Sequence, residues 1–221
     1  MIQRLLRLKK LIQHDFHWSA IVVSIVFLVG AYFRIRQFAA GRSLWLDEAM
    51  LALNIVNRSW VGLTQPLDYN QGAPLGFLFV QKLIITLFGN TDFNLRLFPL
   101  IAGILSIFLI WKVSRFFLSR VGALIVLGFF ILSEQLIYYS TEAKQYSSDV
   151  LMALLLLFAF SGYLVHARRS MLWLAAAGVL GMWLSHPSVF VLAAIGLSIS
   201  LDIIIKKEWG RLWQIGLVFL T

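Results

Sequence analysis

Two adjacent carboxylates, Asp47 and Glu48, stand a few residues after Arg42 and open a segment, DEAMLALNIVN, whose apolar residues have helical spacing. Neighbouring acids in a partly desolvated place push their pKa values apart, and the raised one can serve as a general base. The same pair has a plainer use, with Asp47 capping the helix N-terminus and Glu48 as a first-turn acid favoured by the helix dipole. A second group, Glu142-Ala143-Lys144-Gln145-Tyr146, offers an acid that could position an acceptor or share a metal with Asp47. Its Lys144 could bind phosphate as a point charge. The plainer alternative is a solvated loop in which Glu142 and Lys144 compensate each other. Arg96 and Lys82 are further cations able to hold a lipid phosphate, although such side chains also snorkel simply to reach water. Tyr146 and His186, the latter before Pro187 at a turn, complete the candidates. Glu134 falls near the end of an apolar run, where a charge is costly unless it faces a cavity.

Other chemistries find no support. With no cysteine there is no disulfide, thiolate metal site or cysteine nucleophile. Gly-rich phosphate loops, HExxH zinc pairs and GxSxG elbows are absent too.

The elements that must position these residues are membrane helices. Hydrophobic residues make up 60% of the 221 and charged residues 13%, and mean hydropathy is +0.85. A soluble domain would lack the polar residues to cover its surface. Runs approaching the roughly 20 apolar residues of a spanning helix fall at 18–33, 97–117, 121–139, 148–165, 171–185 and 189–205, with 212–221 beginning another. The first follows a basic segment and lacks a cleavage site, as a signal anchor does. The last run stops after ten residues, so the sequence is expected to be the N-terminal part of a longer protein forming one transmembrane domain.

The run at 75–88, interrupted by Gln81 and Lys82, has the length of an interfacial or re-entrant helix. If it does not cross, twelve of the 19 Lys and Arg share one side with Asp15, Asp202 and Glu208, while the other side carries seven of each sign. The positive-inside rule then puts the N-terminus in the cytoplasm. Residues 34–96 become one long extracytoplasmic loop with surface helices, the second starting after Pro74. The fold class expected is therefore all-α: a polytopic transmembrane helix bundle with interfacial helices in that first loop.

Three pieces in this membrane order carry a resemblance: SLWLDEAM at 43–50, QGAPLGFLFVQKLIITLFGNTDFNLRLFPLIAGIL at 71–105, and YYSTEAKQYSSDVLMALLLL at 138–157. Together they resemble the N-terminal half of the C-type (GT-C) membrane glycosyltransferases, in the bacterial branch related to protein O-mannosyltransferases and lipid A aminoarabinose transferases. The resemblance implies a hexosyl or pentosyl transfer from a polyprenyl-phosphate donor to an extracytoplasmic acceptor hydroxyl, with inversion. It assigns Asp47 as candidate base and Glu48 as its neighbour, Glu142 to acceptor or metal positioning, and Lys144, Arg96 and Lys82 to the donor phosphate. No cofactor is required, and a divalent metal is compatible with the site. The partners implied are the lipid-linked donor, bilayer lipids and an acceptor lipid, glycan or protein, with no nucleic acid, in the cell's inner (plasma) membrane. The chain has Gly72-Ala73-Pro74 where relatives carry His-Pro-Pro, and Glu142-Ala143-Lys144 where they favour Glu-Ala-Arg.

Two other readings compete: a transporter or flippase component of envelope export, and an inactive truncated transferase. A transport path would line the membrane interior with charge, whereas the acids here cluster at the outer ends.

Because the chain has no cysteine, single cysteines map its topology directly. At positions 47, 82 and 142 they should react with an impermeant thiol reagent in intact cells, and at 118, 168 and 208 they should not. Protection at 47 or 142 would overturn the orientation.

Overall fold

The computed structural model describes residues 20–211 and residue 216. The basic N-terminal segment, the first two residues of the expected span at 18–33, and all but residue 216 of the expected span at 212–221 lie outside the described residues. Among those described there are helices and turns and no strand, an all-α bundle. The helices are α1 (Ala20–Ala39), α2 (Leu46–Asn57), α3 (Leu75–Phe88), α4 (Asp92–Phe117), α5 (Arg120–Leu132), α6 (Glu134–Tyr139), α7 (Tyr146–Val165), α8 (Ala167–Leu184) and α9 (Ser188–Lys206). Short 3-10 turns follow α2 at Gly62–Thr64 and Asp68–Asn70, and another follows α9 at Trp209–Arg211.

Among the described residues four helices are long and apolar enough to cross a membrane: α1, α4, α7 and α9. Their outward residues, among them Ile21, Leu28, Phe190 and Ile205, are exposed large hydrophobics that lipid would cover. The apolar stretches at Leu75–Phe88, Arg120–Leu132 and Ser170–Leu184 are shorter. The continuous helix expected over 121–139 is two helices, because Ser133 is extended (φ −64°, ψ 113°) and restarts the chain with Glu134 in the first turn of α6. A serine followed by an acid is a helix-start signal, and it carries no weight in an average of hydropathy.

α4 is the central helix, packed against α1, α5 and α7, with α3 across its N-terminal half; α7 in turn carries α8 and α9. One apolar cluster joins α7, α8 and α9 through Leu156, Leu174, Ile195 and Ile199. Another joins α1, α4 and α5 around Ile107, Leu127 and Ile131. A third belongs to the segment before α4: Leu51 and Ile55 of α2, Leu63, and Phe77 and Leu78 of α3 close on Leu95 and on Ala143. The long loop is thus a folded cap with its own core, seated on the bundle.

The two polar residues that interrupt α3 fasten this cap. Pro99 of α4 has no N–H and leaves the Leu95 carbonyl without its helical donor. The amide of Gln81, wholly buried, donates to that oxygen at 2.8 Å. The Lys82 ammonium donates to the carbonyls of Ile55 and Val56 at 2.9 and 3.1 Å, in the last turn of α2, where backbone acceptors lack intrahelical partners.

Replacing Gln81 by Leu strands the Leu95 carbonyl and should cost about 1–3 kcal/mol. In a Pro99→Ala background, residue 99 regains its N–H, and the same replacement should cost less. Thermal unfolding of the four proteins in detergent measures the coupling; additive effects would show that the two positions act separately.

Candidate functional site

The first turn of α2 sends its two acids in different directions. Trp45, extended at φ −81° and ψ 168°, is the N-cap, so Asp47 does not cap the helix as expected but occupies the second helical position. Glu48 occupies the third and reaches back, its Oε2 accepting from the Trp45 backbone N–H at 3.2 Å. That is the acid's half of a capping box. Neither position exposes both side chains, because successive helical residues are about 100° apart around the axis.

Glu48 points inward and is wholly buried. Arg96 of α4, 3% exposed, meets it with a forked guanidinium: Nε and Nη2 donate to Oε1 at 3.2 Å each, and Nη2 donates to Oε2 at 2.9 Å. Oε1 also accepts from the Ala143 backbone N–H at 2.7 Å. Arg96 spends its remaining donors on the carbonyls of Arg42 and, at 3.3 Å, Ser43. A planar fork with fixed donors suits this bidentate arrangement. It also commits Arg96 to Glu48.

Arg42 bridges this pair to Glu142. Its Nη2 lies 3.9 Å from Glu48 Oε2 and 3.6 Å from Glu142 Oε1. Its guanidinium also lies over the Tyr138 ring, 4.2 Å from the centroid, and Nη1 donates to the Tyr138 hydroxyl at 2.7 Å. The Trp45 indole N–H donates to Glu142 Oε1 at 3.1 Å. Burial, helped by the Glu48 charge, pushes the Glu142 carboxyl above the usual range, against the hydrogen bonds of Tyr138 and Trp45 and the charge of Arg42. Residues 140–144, polar in sequence, are all buried, which rules out the solvated-loop reading of Glu142 and Lys144. Gly103 of α4 permits their depth, since a Cβ there would fall 2.5 Å from that of Ser140.

Asp47 points the other way and keeps 32% of its side-chain surface exposed. Its Oδ2 lies 2.8 Å from Lys144 Nζ, and its Oδ1 accepts from Gln71 Nε2 at 3.0 Å. Gln71 closes the triangle, its Oε1 accepting from Lys144 Nζ at 2.6 Å. Lys144 itself is only 4% exposed. Burial pushes the Asp47 carboxyl up, but the hydrogen bonds from Lys144 and Gln71 and the Lys144 charge outweigh it, and the carboxyl sits below the usual aspartate range.

Gln71 reaches this place because α2 pins the chain ahead of it. The Asn54 side chain accepts from the Asp68 N–H at 2.8 Å and donates to the Asp68 carbonyl at 3.3 Å. Arg58 pairs with Asp68 at 2.9 Å and donates to the carbonyls of Gly62 and Pro66. Tyr69 and Asn70 then take left-handed backbone, φ 61° and 54°. Two such residues in a row are strained for side chains with a Cβ, though asparagine tolerates the region best.

The fold therefore brings together Asp47, Glu48, Arg96, Glu142 and Lys144. Tyr146 stands beside them, its ring 4.8 Å from that of Tyr139 and within electrostatic reach of Asp47 and Glu142. Lys82 is engaged by the last turn of α2. His186 is exposed between α8 and α9, beside Asp149. Among the described residues no three of His, Asp and Glu gather as metal ligands would. Sequence reasoning passed over Gln71, Trp45, Tyr138 and the Ala143 N–H. The tyrosine-asparagine pair before Gln71 is a faint signal for a turn; the rest have none.

The sequence profile of the dolichyl-phosphate-mannose-protein mannosyltransferase family matches residues 72–220, well over half of the chain. That stretch contains Arg96, Glu142 and Lys144 and begins immediately after Gln71, with Asp47 and Glu48 ahead of it. No curated protein and no solved structure gives a significant match. With four helices apt for a bilayer and this match, the chain is an integral membrane protein of the dolichyl-phosphate-mannose-protein mannosyltransferase family, a glycosyltransferase of the mannosyltransferase type.

Proposed function

We propose that the protein moves a sugar from a polyprenyl-phosphate donor to an acceptor hydroxyl at the extracytoplasmic face of the inner membrane, with inversion at the anomeric carbon. The observation that carries this reading is the pairing of a partly exposed carboxylate with a buried ammonium, Asp47 and Lys144, on a charge-matched base of Glu48, Glu142, Arg42 and Arg96. The charge count behind the orientation supports the choice of face.

In the proposed step the acceptor oxygen bonds to the anomeric carbon while the bond from that carbon to the phosphate oxygen breaks. The hydroxyl proton passes to an Asp47 oxygen, and the electron pair leaves with the polyprenyl phosphate. Phosphate is a competent leaving group, so the protein's work is to position the reactants and stabilise charge as it develops. Lys144 has three N–H groups; Asp47 and Gln71 occupy two, and the third is free to meet the donor phosphate. As the ammonium leans toward phosphate its hold on Asp47 loosens, and the carboxylate becomes a stronger base when the donor is in place. The roles thus narrow to Asp47 as base and Lys144 as the donor cation, with Glu48 and Arg96 as their support and Gln71 as the residue that sets their spacing. Glu142 and Tyr146, which interact electrostatically with each other, would help to position an acceptor.

Asp47→Asn in the full-length protein should fold and lose roughly 10²–10⁴-fold in sugar transfer from polyprenyl-phosphate-mannose; unchanged transfer would sink the proposal. Glu48→Gln should instead lose about 3–5 kcal/mol of stability, since it strands the buried Arg96 charge, and thermal unfolding separates the two effects. The pH dependence gives an independent check. Asp47 must be ionised to accept a proton, so activity falls as pH drops through its pKa, which lies below the usual aspartate range. Lys144→Met leaves burial to push that pKa up, so the acid limb of kcat/KM should move to higher pH. A limb that stays in place would remove Asp47 from the role of base.

A further inference from the structure

Arg34 of α1 is the largest wholly buried side chain among the described residues, 1% exposed, and the transfer chemistry does not use it. Its Nη1 donates to the Gly30 carbonyl of its own helix at 3.1 Å. Its Nε has no hydrogen-bond partner, and the guanidinium lies 5.7 Å from the centroid of the Phe130 ring. Among the described residues no carboxylate stands within ion-pair distance of it. The buried acids of the neighbouring cluster are already matched, Glu48 by Arg96 and Glu142 by Arg42.

A guanidinium does not shed its proton, so its charge persists wherever the fold puts it. Buried without a counter-charge it is strongly destabilising, which makes its surroundings informative. A small, partly enclosed cavity opens against Arg34 and is lined also by Gly103, Ser106, Phe130 and Ser147. Gly103 keeps the space open, since a Cβ there would reach to 3.5 Å from Arg34 Nε. The Ser106 hydroxyl is turned to the Ala102 carbonyl at 2.7 Å. The buried Ser147 lines the same cavity as Arg34 and carries a hydroxyl that can donate.

We propose that this cavity is a binding site for a monovalent anion of chloride size, held by Arg34 Nε and the Ser147 hydroxyl. A water molecule would satisfy the N–H but leave the charge uncompensated in a low-dielectric interior. The anion neutralises the one wholly buried arginine among the described residues that lacks an acid, and it does so where α1, α4, α5 and α7 meet.

The test is thermal unfolding of the full chain, purified in detergent without halide and then given sodium chloride or sodium gluconate at equal ionic strength. Chloride at about ten times its dissociation constant should raise the wild-type Tm by roughly 3–5 °C. Arg34→Met, which keeps the length and drops the charge, should show no difference between the two salts. Ser147→Val fills the cavity and keeps the arginine; it too should lose the difference, and it decides the matter should Arg34→Met fail to fold. Equal Tm values for the wild type in the two salts, or a chloride effect that survives in Ser147→Val, would overturn the site and leave the cavity to water.

Discussion

The forked pairing of Arg96 with Glu48 is the interaction on which the rest of the site rests. It ties the first turn of the cap's leading helix to the central helix of the bundle, and the spare capacity of both partners fastens more backbone. Glu48 accepts from Ala143 and Trp45, and Arg96 donates to the carbonyls of Arg42 and Ser43. Three stretches distant in sequence therefore meet at one ion pair. A buried pair of this kind adds little stability over a well-packed apolar substitute, yet it is costly to break by halves. Its value here is register: it fixes which face of α2 looks into the protein, and so which acid looks out.

From that register follows the division of labour between neighbours in sequence. Glu48, with both carboxylate oxygens engaged, is fixed, while Asp47 retains solvent exposure and shares Lys144 with Gln71. The Lys144 ammonium is held in a nearly closed environment by one carboxylate and one amide oxygen, so its position depends on Gln71 as much as on the ion pair. The strain accepted at Tyr69 and Asn70 is where the chain turns to deliver that amide.

Much of the fold was legible in the sequence because lipid demands long apolar runs, and a run of that length has few alternatives. α1, α4, α7 and α9 appear where hydropathy puts them, with boundaries shifted by a few residues. The break at Ser133 was not legible, since an average over apolar neighbours hides one serine. The site was half legible. Asp47-Glu48 and Glu142-Ala143-Lys144 stand out by type and by their resemblance to a family pattern, but nothing in a one-dimensional spacing says which acid is buried. A polar stretch such as Tyr138 to Gln145 reads as exposed, because the cap that covers it is built from residues almost 100 positions away. Arg96 and Lys82 looked alike as basic residues near apolar segments; only the partners across the fold separate them.

Pro99 and Gln81 carry a consequence for descent. The proline leaves an acceptor on α4 bare, and the amide of a different helix fills the vacancy. A lineage that loses the amide first passes through a protein with a stranded carbonyl at the seam between cap and bundle. One that loses the proline first keeps the Leu95 carbonyl served, after which position 81 is free to become apolar. The two sites behave as a single inherited character with a preferred order of change: among descendants, an apolar residue at 81 should be found beside a proline at 99 far less often than the reverse pairing of glutamine with a residue that has its own N–H.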